Sequence, residues 1–256
     1  MMVQVSKLRL AENTPRVGVV IPVYGEGGPI CWVLGRFRKG SVNTICLVVD
    51  VPMKRDMDRI REAAKQNGIT VHIIKNQYRT GVGFSLRQGL RYLAETGHDI
   101  AVIMAGNGKD DPAEIDRVVA PVVRGEYDYV QGSRYVPGGR KSRMPLVRVV
   151  FNRVYPLIWS LLTHRKCTDV TNGYRCYTLD ILRDRRLDLN QDWLDGYSLE
   201  YYLHYKVLAL GYRVKEVPVS KTYPFGNKGG YSKIQPLKDW WPILSPLIML
   251  FFGARR

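Results

Sequence analysis

Residue 17 starts a regular alternation of apolar and polar blocks. VGVVIPV over Val17–Val23 is a short apolar run ended by the turn-rich GEGG, the pattern of a buried strand. Ile30, Val33, Leu34 and Phe37 then recur at helical spacing. TICLVVD over 44–50 predicts a second strand and residues 57–66 a second helix. Residues 69–74 (ITVHII) and 84–94 repeat the pair, as do 100–104 and 112–123, with Pro112 suited to a first helical turn. Residues 127–131 predict a fifth strand. Strands alternating with helices of this length predict an α/β fold, a Rossmann-like, mostly parallel sheet with helices on both faces. No internal repeat or low-complexity linker breaks the pattern.

The second half is less regular. Residues 146–162 predict an apolar helix with a narrow polar stripe at Arg148, Asn152, Ser160 and Thr163, bent near Pro156. Residues 198–210 predict an amphipathic helix and 213–219 a strand. The most apolar stretch, 240–252, contains Pro242, Ser245 and Pro246 and falls short of the roughly 20 residues that span a bilayer. The first 17 residues lack the apolar core of a signal peptide.

The composition, 45% apolar and 24% charged in 256 residues, excludes a disordered or fibrous chain. Charge adds more. Of a net +16, half falls between 129 and 168, where Arg134, Arg140, Lys141, Arg143, Arg148, Arg153, Arg165 and Lys166 meet no Asp or Glu. Such a segment is either a solvated basic face or the footprint of an anionic partner. Cys31, Cys46, Cys167 and Cys176 show no C-x-x-C spacing, so free thiols in a cytoplasmic protein are expected. The four histidines form no cluster with metal-ligand spacing.

In parallel sheets ligands bind outside the carboxyl ends of the strands. Those ends are 24–26, Asp50, Asn76 and 105–111, all polar or glycine-rich directly after apolar runs. Together they predict a nucleotide or sugar-phosphate pocket.

These residues carry a resemblance. IPVYGE over 21–26, the strand ending in VVD at Asp50, and N-x4-G-x-G-x5-G (Asn76, Gly81, Gly83, Gly89) resemble inverting family 2 glycosyltransferases of the GT-A fold. GSRYVPGG (132–139), DVTNGYRCY (169–177), EVPV (216–219) and GYSK (230–233) resemble, in the same order, dolichol-phosphate mannose synthases and related polyprenyl-phosphate glycosyltransferases. The resemblance covers about 17–233. It implies a glycosyltransferase domain over 1–234, with 235–256 as an apolar, membrane-interfacial segment. Its expected activity moves a sugar of mannose or glucose type from a GDP- or UDP-sugar to a polyprenyl phosphate. Pro22, Tyr24, Glu26, Asp50, Asn76, Gly81, Gly106, Asn107 and Lys109 are then expected at the nucleotide-sugar, Tyr24 stacking on a base and the two acids accepting from base and ribose. The glycines at 81 and 83 would admit a close backbone approach to a ligand.

One segment departs from the family. Its Asp-x-Asp, which holds Mg2+ or Mn2+ on the donor diphosphate, is here Ala105-Gly106-Asn107, followed by Lys109, Asp110 and Asp111. Either Asn107, Asp110 and Asp111 hold a divalent cation, or the two acids cap the helix at Pro112 and Lys109 replaces part of the metal's charge. A phosphate acceptor is already ionised at pH 7, so the site's work is to join two anions and stabilise the departing nucleoside diphosphate. Arg134, Arg140, Arg143 and Lys233 are the expected phosphate ligands, with Arg134, Arg175, Asp110 and Glu200 as catalytic candidates. Asp169 is expected to order the Arg-rich loop, and Glu200 is the candidate base.

Two segments, 146–162 and 240–252, are flanked by cations and carry Trp159, Trp240 and Trp241, aromatic rings suited to the headgroup level. They predict peripheral binding to an anionic membrane at its cytoplasmic face; packing into the core, or into a homo-oligomer contact, is the alternative. A soluble saccharide acceptor and a binding protein that has lost catalysis also fit. Nucleic acid is not expected as a partner, since apolar residues dominate 146–162 and no nucleic-acid motif is present.

Overall fold

The computed structural model describes residues 14–25, 27–142, 146–222 and 240–254, with backbone alone at 146–148 and 240–243. The order is β1 (Val17–Val23), α1 (Gly27–Arg36), β2 (Thr44–Asp50), α2 (Lys54–Gln66), β3 (Val71–Asn76), α3 (Val82–Glu95), β4 (Ile100–Ile103), a 3-10 turn (Pro112–Glu114) and α4 (Ile115–Val123). There follow β5 (Tyr129–Ser133), β6 (Arg140–Lys141), α5 (Leu146–Thr163), β7 (Arg175–Thr178), α6 (Ser198–Ala209), β8 (Val214–Pro218), β9 (Ser220–Lys221) and α7 (Trp240–Phe251). The large sheet runs β3-β2-β1-β4-β7-β5-β8, and β6 pairs with β9 beside it. Every ladder of the large sheet is parallel except those of β7, which runs against β4 and β5.

Strand alternation explains the layers. Val19 and Ile21 of β1 point to α1, α2 and α4, while Val20 points to α3, α5, α6 and α7. Leu86, Leu90 and Leu93 form the buried stripe of α3, each worth about 1.5–3 kcal/mol when fully buried. Gly89 is what lets α3 come so near, since a side chain there would strike Val20.

The first two strands have the expected bounds. β3 and β5 lie two residues later, because their ladders continue to Asp50↔Asn76 and Ser133↔Pro218. Strand β7 was not expected: RCYT is short and lies outside the strand–helix rhythm. The helix expected from Pro112 begins as a 3-10 turn, with Asp111 Oδ1 accepting from the Ala113 amide at 3.0 Å.

Helix α5 reverses an expectation. Asn152 of its polar stripe faces inward, and the outward stripe is Val150, Val154, Leu157, Ile158 and Leu161. Trp159 is fully buried between Tyr155, His204 and Tyr205, so it cannot sit among lipid headgroups. Helix α7 sends Leu247 and Leu250 into the core beside α6, leaving Ile248, Phe251 and Phe252 exposed. Among the described residues no helix is long and apolar enough to cross a membrane. All four cysteines are free.

Candidate active site

The carboxyl ends of β1, β2, β3 and β4 open at one edge, with β1 at the point where strand order reverses. Because β7 is antiparallel, its first residue, Arg175, comes to that same edge, opposite Ile103 and Gln131. Two loop groups therefore converge there, one from the first half of the chain and one from 132–142 and 168–175.

On the first side, Tyr24 is 40% exposed just past β1, with the Arg79 guanidinium 4.9 Å over its ring. Pro22, within β1, is half-buried, and Glu26 lies outside the described residues. Asp50 is buried and engaged within the protein. Its Oδ1 accepts from Asn76 Nδ2 (2.9 Å), Thr80 Oγ1 (2.9 Å) and Ser85 Oγ (3.2 Å), and its Oδ2 from the Thr80 amide (2.8 Å). Three of these four bonds fall on Oδ1 and one on Oδ2. Asn76 is equally occupied, donating also to Gln88 Oε1 at 2.8 Å. These two residues thus set the shape of the β3–α3 turn. Gly81 and Gly83 are also turned inward. Gly81 has φ 99°, and a side chain at either would collide with the backbone of 194–196, whose Asp195 carbonyl accepts from the Gly83 amide at 2.8 Å. The close approach is by the chain itself.

After β4, Asp110 is fully buried. Its Oδ2 accepts from the Ala105 amide at 2.9 Å and its Oδ1 from Lys221 Nζ at 2.5 Å. Asp111 is held by the Arg36 fork, Nε to Oδ1 at 3.0 Å and Nη2 to Oδ2 at 2.6 Å. Burial tends to raise the Asp111 pKa, but the Arg36 bonds and the cap bond outweigh it and hold it below the usual value. Asn107 Oδ1 accepts from the Lys109 amide at 3.2 Å, and Gly106 is buried in the turn. Each acid of the expected metal set is thus neutralised by a cation, and no group of three His, Cys, Asp or Glu among the described residues is arranged to hold a metal. The donor set does not fit a divalent ion, which wants several anionic or carbonyl oxygens free to turn toward it.

On the second side, Arg134 is buried. Its amide and Nε donate to Asp169 Oδ2 (3.0 and 2.6 Å), and its Nη2 to Asp169 Oδ1 (2.7 Å) and Thr171 Oγ1 (2.6 Å). Arg175 is also buried, its nitrogens donating to the carbonyls of Asn172, Glu200 and Val170. Arg134 and Arg175 both help to build the loop, and Asp169 holds Arg134 in it. Glu216 of EVPV completes that loop, accepting from the Thr168 amide (2.7 Å), Thr168 Oγ1 (2.8 Å) and the Asp169 amide (3.2 Å). Burial pushes the Glu216 pKa up, and the Thr168 and Asp169 bonds only partly offset it. Glu200 has its Oε1 without a hydrogen bond, 3.8 Å from Arg175 Nε. Arg140 and Lys141 are exposed, and Arg143 and Lys233 lie outside the described residues.

Lys221, Asn172, Thr80, Arg79 and Glu216 do the positioning, and none was singled out by residue. For Glu216 the EVPV motif was a signal. Lys221 had none, because only the fold brings it to Asp110.

No family model matches the chain. It is 30% identical to undecaprenyl-phosphate mannosyltransferase of Micrococcus luteus over 205 residues, which span 80% of this chain and 83% of that protein. It is 29% identical to polyprenol monophosphomannose synthase of Mycolicibacterium smegmatis over 210 residues, 82% of this chain and 78% of that one. Among solved structures, glucosyl-3-phosphoglycerate synthase from Mycobacterium tuberculosis, crystallised with Mn2+, UDP and glucosyl-3-phosphoglycerate, superposes with a TM-score of 0.61 at 18% identity. That match covers 94% of this chain and 81% of that chain.

Proposed function

The chain belongs to the family 2 glycosyltransferases of the GT-A fold that include the polyprenyl-phosphate mannosyltransferases, and from this we propose that it transfers a mannose-type sugar from a nucleoside-diphosphate sugar to a polyprenyl phosphate at the cytoplasmic face of a membrane. The donor lies over the carboxyl ends of β1 and β4, its base against Tyr24 and Arg79 and its diphosphate over 105–110. The acceptor's phosphate oxygen is already anionic at pH 7 and attacks the sugar carbon directly; the sugar–phosphate bond breaks and the nucleoside diphosphate leaves with the electron pair. Arg140 and Lys141, exposed at the rim, draw the acceptor phosphate in, with Arg143 and Lys233 proposed to join them. Two fixed anions are thereby held together, the largest part of the barrier for this chemistry.

The observation that supports a lipid acceptor is the outer face of α5. Leu157 is 66% and Leu161 72% exposed, continuing Val150, Val154 and Ile158 in one apolar stripe, with the exposed cations Arg153, Arg165 and Lys166 along it. Asn152 on the opposite side of this helix accepts from Thr171 Oγ1 at 3.3 Å, joining α5 to the Arg134–Asp169 loop. Apolar side chains in the interface and cations near anionic headgroups act together. The segment 235–256, with Phe251 and Phe252 exposed, is proposed to add to that contact. A thermal-shift series with GDP- and UDP-sugars tests the donor half: one of them raises the melting temperature, whereas no shift with any of them excludes the donor reading.

A further inference from the structure

Lys221 meets the loop after β4 from 111 positions further along the chain. It faces Asp110 in an antiparallel bridge, and the Thr222 amide donates to the Lys109 carbonyl at 3.1 Å. Its Nζ donates to Asp110 Oδ1 (2.5 Å) and to Asn172 Oδ1 (3.2 Å). Asn172 is itself fixed, its Nδ2 donating to the Gly132 carbonyl at 3.0 Å. An ammonium carries three donors, two of them are used among the described residues, and the side chain keeps 14% of its surface open while Asp110 has none.

The charges around this point decide what it will accept. Lys221 pairs with Asp110 and Arg36 with Asp111, so each acid is already matched by a cation. A divalent cation entering here would have to displace Lys221 from a buried carboxylate. A diphosphate would meet the open side of the Lys221 ammonium, at a position where burial strengthens the contact.

We propose that Lys221, anchored on Asp110 and Asn172, is a fixed cation that binds the donor diphosphate and stabilises the leaving nucleoside diphosphate without a divalent metal. This rests on the donor reading given above.

The test is equilibrium binding of GDP and UDP to the full chain, in EDTA and in MnCl2. Expected is one nucleotide binding with affinities within about threefold in the two conditions, and about tenfold weaker for Lys221→Met, the factor that about 1.4 kcal/mol corresponds to. Because Lys221→Met strands a buried carboxylate, Asp110→Asn/Lys221→Met is measured beside it, with melting temperature as the check on folding; it too binds weakly in both conditions. Lys221→Arg keeps most of the affinity. Wild-type binding that needs Mn2+, or undiminished binding by a folded double variant, overturns the inference while leaving the donor reading intact. No binding of either nucleotide in either condition overturns both.

Discussion

Arg134 and Asp169 form a buried two-pronged ion pair, with Nε to Oδ2 at 2.6 Å and Nη2 to Oδ1 at 2.7 Å, that ties the end of β5 to the loop before β7. Removing one partner of such a pair leaves an uncompensated buried charge. Asp169→Ala should therefore cost about 3–5 kcal/mol, and replacing both partners by apolar residues should recover much of it. Urea denaturation of the single variant and of Arg134→Met/Asp169→Leu measures this; a single-variant loss below about 1 kcal/mol would mean that water reaches the arginine.

The glycines of the β3–α3 turn give a second prediction. Gly83→Ala drives a methyl group into the carbonyls of Leu194 and Gly196 and should destabilise the protein by about 1–3 kcal/mol with no ligand present. Gly28→Ala, in open space on α1, should be neutral or stabilise by up to about 1 kcal/mol. Equal stability of Gly83→Ala and wild type would return that glycine to a ligand role.

His204 makes stability depend on pH. It is buried, with Nδ1 2.9 Å from Tyr129 Oη and Nε2 3.7 Å from Cys167 Sγ, and burial first, then Arg175, push its pKa well below 6.5. The depressed folded value means that its contribution is present above the unfolded pKa and is lost as pH falls, because the unfolded chain takes up a proton that the folded chain refuses. Below about pH 6.5 stability should fall by up to about 1.4 kcal/mol per pH unit, and His204→Gln should remove that part of the slope. Identical slopes for the two proteins would contradict it.

The interfacial role of α5 is tested by flotation with liposomes rich in anionic lipid. Leu157→Asp/Leu161→Asp alters only exposed side chains, so folding should be kept. Losing two leucines, each worth about 1.5–3 kcal/mol in an apolar phase, should lower membrane partitioning by more than about tenfold. A wild-type protein that stays at the bottom at low salt defeats the membrane proposal outright.

The parts legible in the sequence were those written by local pattern. Val17–Val23 and Thr44–Asp50 could be bounded to the residue because both strands are apolar along their length and end in polar turns. The edge at which β1 to β4 end followed from those turns. Strand β7 was not legible: four residues, RCYT, become a central strand only through pairing with β4 and β5. Side-chain direction was equally hidden. An arginine reads the same whether it faces phosphate or, like Arg175, three carbonyls of its own chain. Trp159 looked like a membrane anchor because core and interface tryptophans share one pattern. The Lys221–Asp110 contact spans 111 positions, beyond any local pattern.

The most direct measurement follows label from a nucleotide-sugar with a radioactive mannose into the organic phase, with a polyprenyl phosphate and the matching dephosphorylated polyprenol as acceptors. A polyprenyl-phosphate mannosyltransferase puts label on the phosphate and none on the alcohol, and the Leu157→Asp/Leu161→Asp variant slows transfer on vesicles more than on detergent-dispersed lipid. Label that stays in the aqueous phase on a soluble saccharide, or no transfer from any donor the protein binds, would contradict the lipid-phosphate assignment.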